Sequence, residues 1–143
     1  MIVSTRGRYA LRVMLDLAAQ DSGEFIPLKA VAERQGISQK YLEGIMVILS
    51  KAGMVDGAHG KGGGYRLNRP AQTYRVGDIL RLTENSLAPV ACLDEKTVHC
   101  QRAQDCLTLP MWERLDEMIQ QFFDGITLVD LLRENGVPDG GEG

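Results

Sequence analysis

The stretch from Pro27 to Leu67 constrains this chain more than any other. Leu28 to Gln35 carries the spacing of one short helix, with Pro27 placed where a first helical position tolerates proline. Gly36 offers a tight turn, Ser38 offers a cap, and Gln39 to about Ala52 reads as a second helix that Gly53 stops. Ala32 is small where the two helices must approach, and Leu42 is placed to fill the space between them. Two short strand-like segments follow, Met54-Val55-Asp56 and Tyr65-Arg66-Leu67, around the glycine-rich run from Gly57 to Gly64. A helix-turn-helix followed by a glycine-tipped hairpin is a winged helix-turn-helix. The expected fold is therefore mainly α with a small β-hairpin wing and, further on, a long C-terminal helix.

The flanks extend that pattern. Ser4 or Thr5 can cap a first helix reaching about Gln20, with Tyr9, Ala10, Val13, Met14, Leu17 and Ala18 forming one buried stripe. A short helix is expected from Val76 to Glu84, with Asp78 in its first turn. Residues 85–107 have no helical period and hold all three cysteines, a loop long enough to point to function. From Thr108 a new helix begins. Its seam at Trp112, Leu115, Ile119 and Phe122 is too apolar for a solvated face, so it needs a partner surface: a second copy, or its own winged helix. Gly125 ends this helix, and Thr127 caps a last short one through Asn135. The organisation expected is a winged helix-turn-helix at 1–84, a cysteine loop at 85–107, a dimerisation helix with a short terminal helix at 108–136, and a tail at 137–143.

Charge narrows the function. Residues 1–70 carry ten Lys/Arg against six Asp/Glu, a net of +4, and residues 71–143 carry six against thirteen, a net of −7. A polyanion met by the N-terminal half alone accounts for that split. Hydrophobic residues at 44% and charged residues at 24% are those of a globular domain. No apolar run approaches the ~18–20 residues of a membrane span, and the first residues lack a signal peptide's pattern, so a cytoplasmic protein is expected.

The glycine run is not a phosphate-binding loop, because Lys61 is followed by glycine rather than Ser or Thr and no helix follows. With two histidines, no nucleophile motif and no paired carboxylates, an enzyme is not expected. A winged helix used only for protein contacts would not need Arg6, Arg8, Lys40 and Lys61 in the elements that face DNA. Cys92, Cys100 and Cys106 fall in one loop, in a reducing compartment, which leaves an iron–sulfur site, a thiol redox switch or a structural zinc.

Several segments together resemble the Rrf-type (Rrf-two) family of winged-helix transcriptional regulators. They are Ser4 to Ala10, Ile37 to Glu43, Lys51 to Val55 and Gly62 to Leu67, continuing through Val76-Gly77-Asp78, Leu87 to Val90 and Ile126-Thr127-Leu128. That family includes iron–sulfur, iron and nitric-oxide regulators and a cluster-free cysteine regulator. The resemblance implies a homodimer held by the helix after the cysteine loop and bound to double-stranded DNA at a palindromic operator.

By position, it implies that Ser4, Thr5, Arg6 and Tyr9 meet phosphates at the start of the first helix. Ser38, Gln39, Lys40 and Glu43 would face the major groove, with Gln39 suited to adenine, Lys40 to guanine or phosphate, and Glu43 to cytosine. His59, Gly60 and Lys61 would form a wing tip in the minor groove, although many relatives carry arginine and proline where His59 and Lys61 stand. It also implies an iron–sulfur cluster, 2Fe-2S or 4Fe-4S, on Cys92, Cys100 and Cys106. Here the first gap between cysteines is longer than in the best-known cluster-binding members. Leu109 replaces the histidine that completes one relative's site, and His99 would be strained as a ligand beside Cys100, so Asp105, a carboxylate or water from elsewhere, or a residue of the partner subunit are the candidates for a fourth ligand.

Overall fold

The computed structural model describes residues 2–94 and 106–138. Among them, six α-helices and one two-stranded antiparallel sheet form a winged helix with a helical C-terminal extension. Ser4 starts the first helix, its Oγ accepting the Gly7 N–H at 3.0 Å, and α1 runs Thr5–Ala19. Of the expected buried stripe, Ala10, Val13, Met14, Leu17 and Ala18 are fully enclosed, whereas Tyr9 is half-buried at the edge of the core because its ring packs on Tyr41.

The second helix, α2, spans Leu28–Gln35. Pro27 is its N-cap, in extended backbone, rather than its first helical residue. The proline carbonyl accepts the N–H groups of Ala30 and Val31 at 3.0 and 3.3 Å, a role that needs no donor from proline itself. Gly36 closes the helix in the left-handed conformation, and Ser38 caps α3 (Gln39–Lys51) through the Tyr41 N–H at 3.1 Å. Leu42, Ile45, Met46 and Leu49 turn inward and are buried to within 1%.

The wing is β1 (Val55–Ala58) paired with β2 (Gly64–Leu67), Val55 opposite Leu67. Pairing extends further toward the tip than the hydrophobic pattern indicates, leaving residues 59–63 as the turn. Ile26 adds a third partner that sequence pattern does not reveal. Its N–H and carbonyl exchange bonds with Tyr65 at 2.8 and 2.9 Å, stapling the start of α2 to the wing. Gly64 makes this approach workable: at φ 145° a Cβ there would overlap the Ile26 carbonyl oxygen.

Three further helices complete the fold: α4 (Val76–Thr83), α5 (Leu109–Asp124) and α6 (Leu128–Glu134). Thr127 and Asp130 form a capping box at α6. Beside it, the chain before α4 meets the chain before α6, Val76 N–H to Ile126 O at 2.8 Å and Leu128 N–H to Tyr74 O at 3.1 Å. Leu128, Val129 and Leu132 thereby enter the main core with α1, so that core draws on residues from both ends of the chain. By contrast, α5 has no buried residue at all. Phe123 packs on a small second cluster around Val76, Leu80 and Leu87, and Arg81 binds Asp124 at 2.8 and 2.9 Å. No helix among the described residues is long and apolar enough to cross a membrane.

Candidate nucleic-acid interface

The start of α1 and the exposed side of α3 border one open groove of about 560 Å³. It is lined by Arg6, Ser38, Lys40, Tyr41, Gly44 and Ile48. Three of the residues singled out from sequence, Arg6, Ser38 and Lys40, therefore share one concave surface with a cation on each wall. Gln39 and Glu43 are exposed on the adjoining turns of α3. His59, Gly60 and Lys61 are exposed at the tip of the wing.

The geometry refines what individual side chains can offer to DNA. Tyr9 is half-buried and meets Tyr41 edge-to-face, centroids 5.6 Å apart and planes at 80°, with Arg12 stacked 5.4 Å from its ring. It braces the recognition helix against α1. Thr5 Oγ1 accepts a bond from Arg8 at 3.1 Å, and Arg6 donates one to the Thr83 carbonyl at 2.9 Å, leaving the rest of its guanidinium toward the groove.

Ser4 is already committed. Its N–H and Oγ both donate to Glu84 Oε1, at 2.9 and 2.8 Å, while Oγ accepts the Gly7 N–H. The Glu84 carboxylate thus occupies the positive end of α1, where an anion is stabilised by the helix dipole. Gly7 is what admits it, since a Cβ at that position would overlap Glu84 Oε1. Thr83 and Glu84 are functional candidates that sequence pattern does not single out. The one local signal is a glycine in the first turn of an otherwise regular helix.

The cysteine loop leaves directly from this contact. Cys92 lies in a short 3-10 turn, Ala91–Leu93, and Cys106 stands just ahead of α5; both are half-buried free thiols. The Cys106 Sγ lies 3.3 Å from the Thr108 hydroxyl. That hydroxyl, followed by the backbone N–H groups of Thr108 and Leu109, holds the thiol below its ordinary pKa and favours the thiolate, the form that ligates metals. Cys100, His99 and Asp105 lie outside the described residues. Leu109 is the first residue of α5 and brings no donor side chain.

A capped recognition helix, a cationic groove beside it and a hairpin wing define a winged-helix DNA-binding protein. The profile of the Rrf2 family, described as iron-dependent transcriptional regulators, matches residues 3–134. The HTH-type transcriptional regulator IscR of Photobacterium profundum is 38% identical over 139 residues, covering 97% of this chain and 80% of that protein. Among solved structures, T. potens IscR superposes with a TM-score of 0.74 at 36% identity, covering 94% of this chain and 88% of its own. CymR, the global cysteine regulator of B. subtilis, superposes at 0.76 and 30% identity, covering 94% and 98%. The chain belongs to the Rrf2 family. It is a DNA-binding transcriptional regulator of a non-enzymatic family.

Proposed function

We propose that the chain acts as a homodimeric repressor on a palindromic operator, with an affinity set by an iron–sulfur cluster held by Cys92, Cys100 and Cys106. The observation that carries this reading is the tie between the two ends of the apparatus. Glu84 and Thr83, where the cysteine loop begins, hold Ser4 and Arg6, where α1 faces the groove. Any reordering of the loop is therefore felt at the DNA-facing end of α1. At its far end, the loop hands over to α5 through Cys106 and Thr108.

The donor set suits the cofactor, because three thiols in one loop, one of them biased toward thiolate, are soft ligands of the kind that iron–sulfur clusters take. Bound there, such a cluster supplies one-electron redox chemistry and reactivity toward oxygen or nitric oxide.

In this reading Arg6 with Thr5 and Tyr9 positions the protein on phosphates, while Gln39, Lys40 and Glu43 read base edges in the major groove. Ser38 caps α3, and His59, Gly60 and Lys61 enter the minor groove. The second copy sits on α5. Met118 and Phe122 are 67% and 64% exposed and, with Ile119 and Phe123, border an apolar recess of about 270 Å³. Trp112 and Leu115 continue the same seam.

Anaerobic purification followed by an absorption spectrum and iron and sulfide counts tests the cofactor. Operator affinities of holo protein, apo protein and Cys92→Ala at one salt concentration test the coupling, with differences in the ~5–150-fold range expected. Equal affinities for all three would remove sensing from the loop. A second reading, a cluster-free or thiol-based regulator of cysteine and sulfur metabolism, is favoured by the likeness to CymR and by the thiolate bias of Cys106. It predicts no iron or sulfide, and binding that responds to peroxide and is restored by reductant.

A further inference from the structure

The outward side of α3 carries two residues that folding does not call for. Lys40, Glu43, Gly44, Val47 and Lys51 recur at three- and four-residue steps, and all five are exposed. Val47 is 51% exposed and belongs to neither hydrophobic cluster, whereas its neighbours Met46 and Leu49 are fully buried. A β-branched side chain at an exposed helical site loses rotamer freedom and, half-covered as here, gains little burial in return. Gly44 is the poorest helix former after proline, in the middle of the helix. Its backbone is ordinary helix, and a Cβ there would meet nothing within 4 Å. Neither residue is explained by packing within the chain.

Both are explained by a ligand that approaches this side closely and presents a small apolar group. We infer that Val47 reads the 5-methyl group of thymine in the major groove, and that Gly44 lets the helix come close enough for it to do so. Thymine is the base that carries a methyl group on the major-groove edge, and aliphatic side chains recognise it by contact. Lys40, Glu43 and Lys51 flank Val47 along the helix, and Arg6 lines the groove that Gly44 borders, so the apolar contact lies within a net cationic frame suited to a DNA strand. The contact lies one turn beyond Glu43, extending the read sequence past the polar start of α3. This inference rests on the seating of α3 in the major groove proposed above.

The experiment begins with selection of a bound sequence from a pool of random duplexes, using the full chain. Each thymine of the selected site is then replaced by deoxyuridine, which removes the methyl group and leaves every base-pairing hydrogen bond. The expected result is a thymine in each half-site whose replacement weakens binding about fourfold, the value of one buried methyl group. Val47→Ala should erase that difference, binding the thymine and uracil operators alike. Gly44→Gln should weaken both operators while the protein melts no lower than wild type.

If Lys40→Ala changes the selected sequence but no thymine is sensitive to replacement, α3 faces the groove and the methyl reading is overturned. It is overturned equally if Val47→Ala keeps the thymine preference. If Lys40→Ala changes neither affinity nor selected sequence, the seating of α3 fails and this inference falls with it. Circular dichroism melting of Val47→Ala, an exposed change to a better helix former, confirms that loss of preference is not loss of fold.

Discussion

At the start of α1, Glu84 does for the helix what a phosphate oxygen would otherwise do. It accepts the Ser4 N–H and hydroxyl and places a negative charge on the dipole's positive end. Glu84→Gln keeps an acceptor but removes the charge, so the folded protein should lose about 0.5–1 kcal/mol, read as a lower urea midpoint. Under the proposed cluster coupling, the same variant should narrow the difference in operator affinity between holo and apo protein. An undiminished difference would show that coupling travels by another route. Arg6, bound to the Thr83 carbonyl beside it, has a different task. Arg6→Ala should weaken binding to all sequences alike and lower the slope of log affinity against log salt by about one per subunit, since phosphates carry no sequence information. A change in sequence preference instead would assign Arg6 to base reading.

Between elements, α4 and α5 meet at a partly exposed junction. Burial there is slight, and Arg81 supplies the specificity through Asp124 and Gln120. Its hydrogen bonds hold the Asp124 carboxyl below the ordinary carboxylate range. A depressed folded pKa contributes stability that is present above the unfolded value, near 4, and lost as pH falls through the folded one. Both side chains are about a third exposed, so the contribution is screened to no more than ~1 kcal/mol. Between pH 5 and pH 2 the wild type should therefore lose more stability than Asp124→Asn, measured by urea unfolding at each pH. Parallel curves would mean that the pair contributes nothing. The helix-turn-helix is held quite differently, by inward aliphatic side chains and by the capping bonds at Ser38.

For the whole molecule, the proposed second copy covers the apolar side of α5. Under that proposal Phe122→Asp puts a charge where the second copy would pack, and sedimentation equilibrium should report a dimer for the wild type and a monomer for the variant, with operator affinity falling as the two recognition helices are uncoupled. A dimer that survives this change would move the interface elsewhere. The elements legible in the sequence were those whose cause is local. The turn at Gly36, the caps at Ser4, Ser38 and Thr127, the burial of Ala10 through Ala18 and the hairpin around the glycine run all follow from residues within a few positions of one another. Arg6, Ser38 and Lys40, which line one concave surface, were also singled out in the sequence, through family likeness as well as pattern.

What sequence alone determined, then, is the order and kind of the elements, because periodicity, capping and turn chemistry act over a few residues. Only the tertiary structure decided which distant groups meet. Ile26 joins the wing at Tyr65, α6 enters the core beside α1, and Glu84 reaches Ser4 across eighty positions. Each of these pairings joins backbone or carboxylate groups that carry no mark of their partner, and the partners are chosen by how the elements pack. The tie from the start of the cysteine loop to the groove-lining end of α1 is of this second kind, because it depends on how α4 packs against α1.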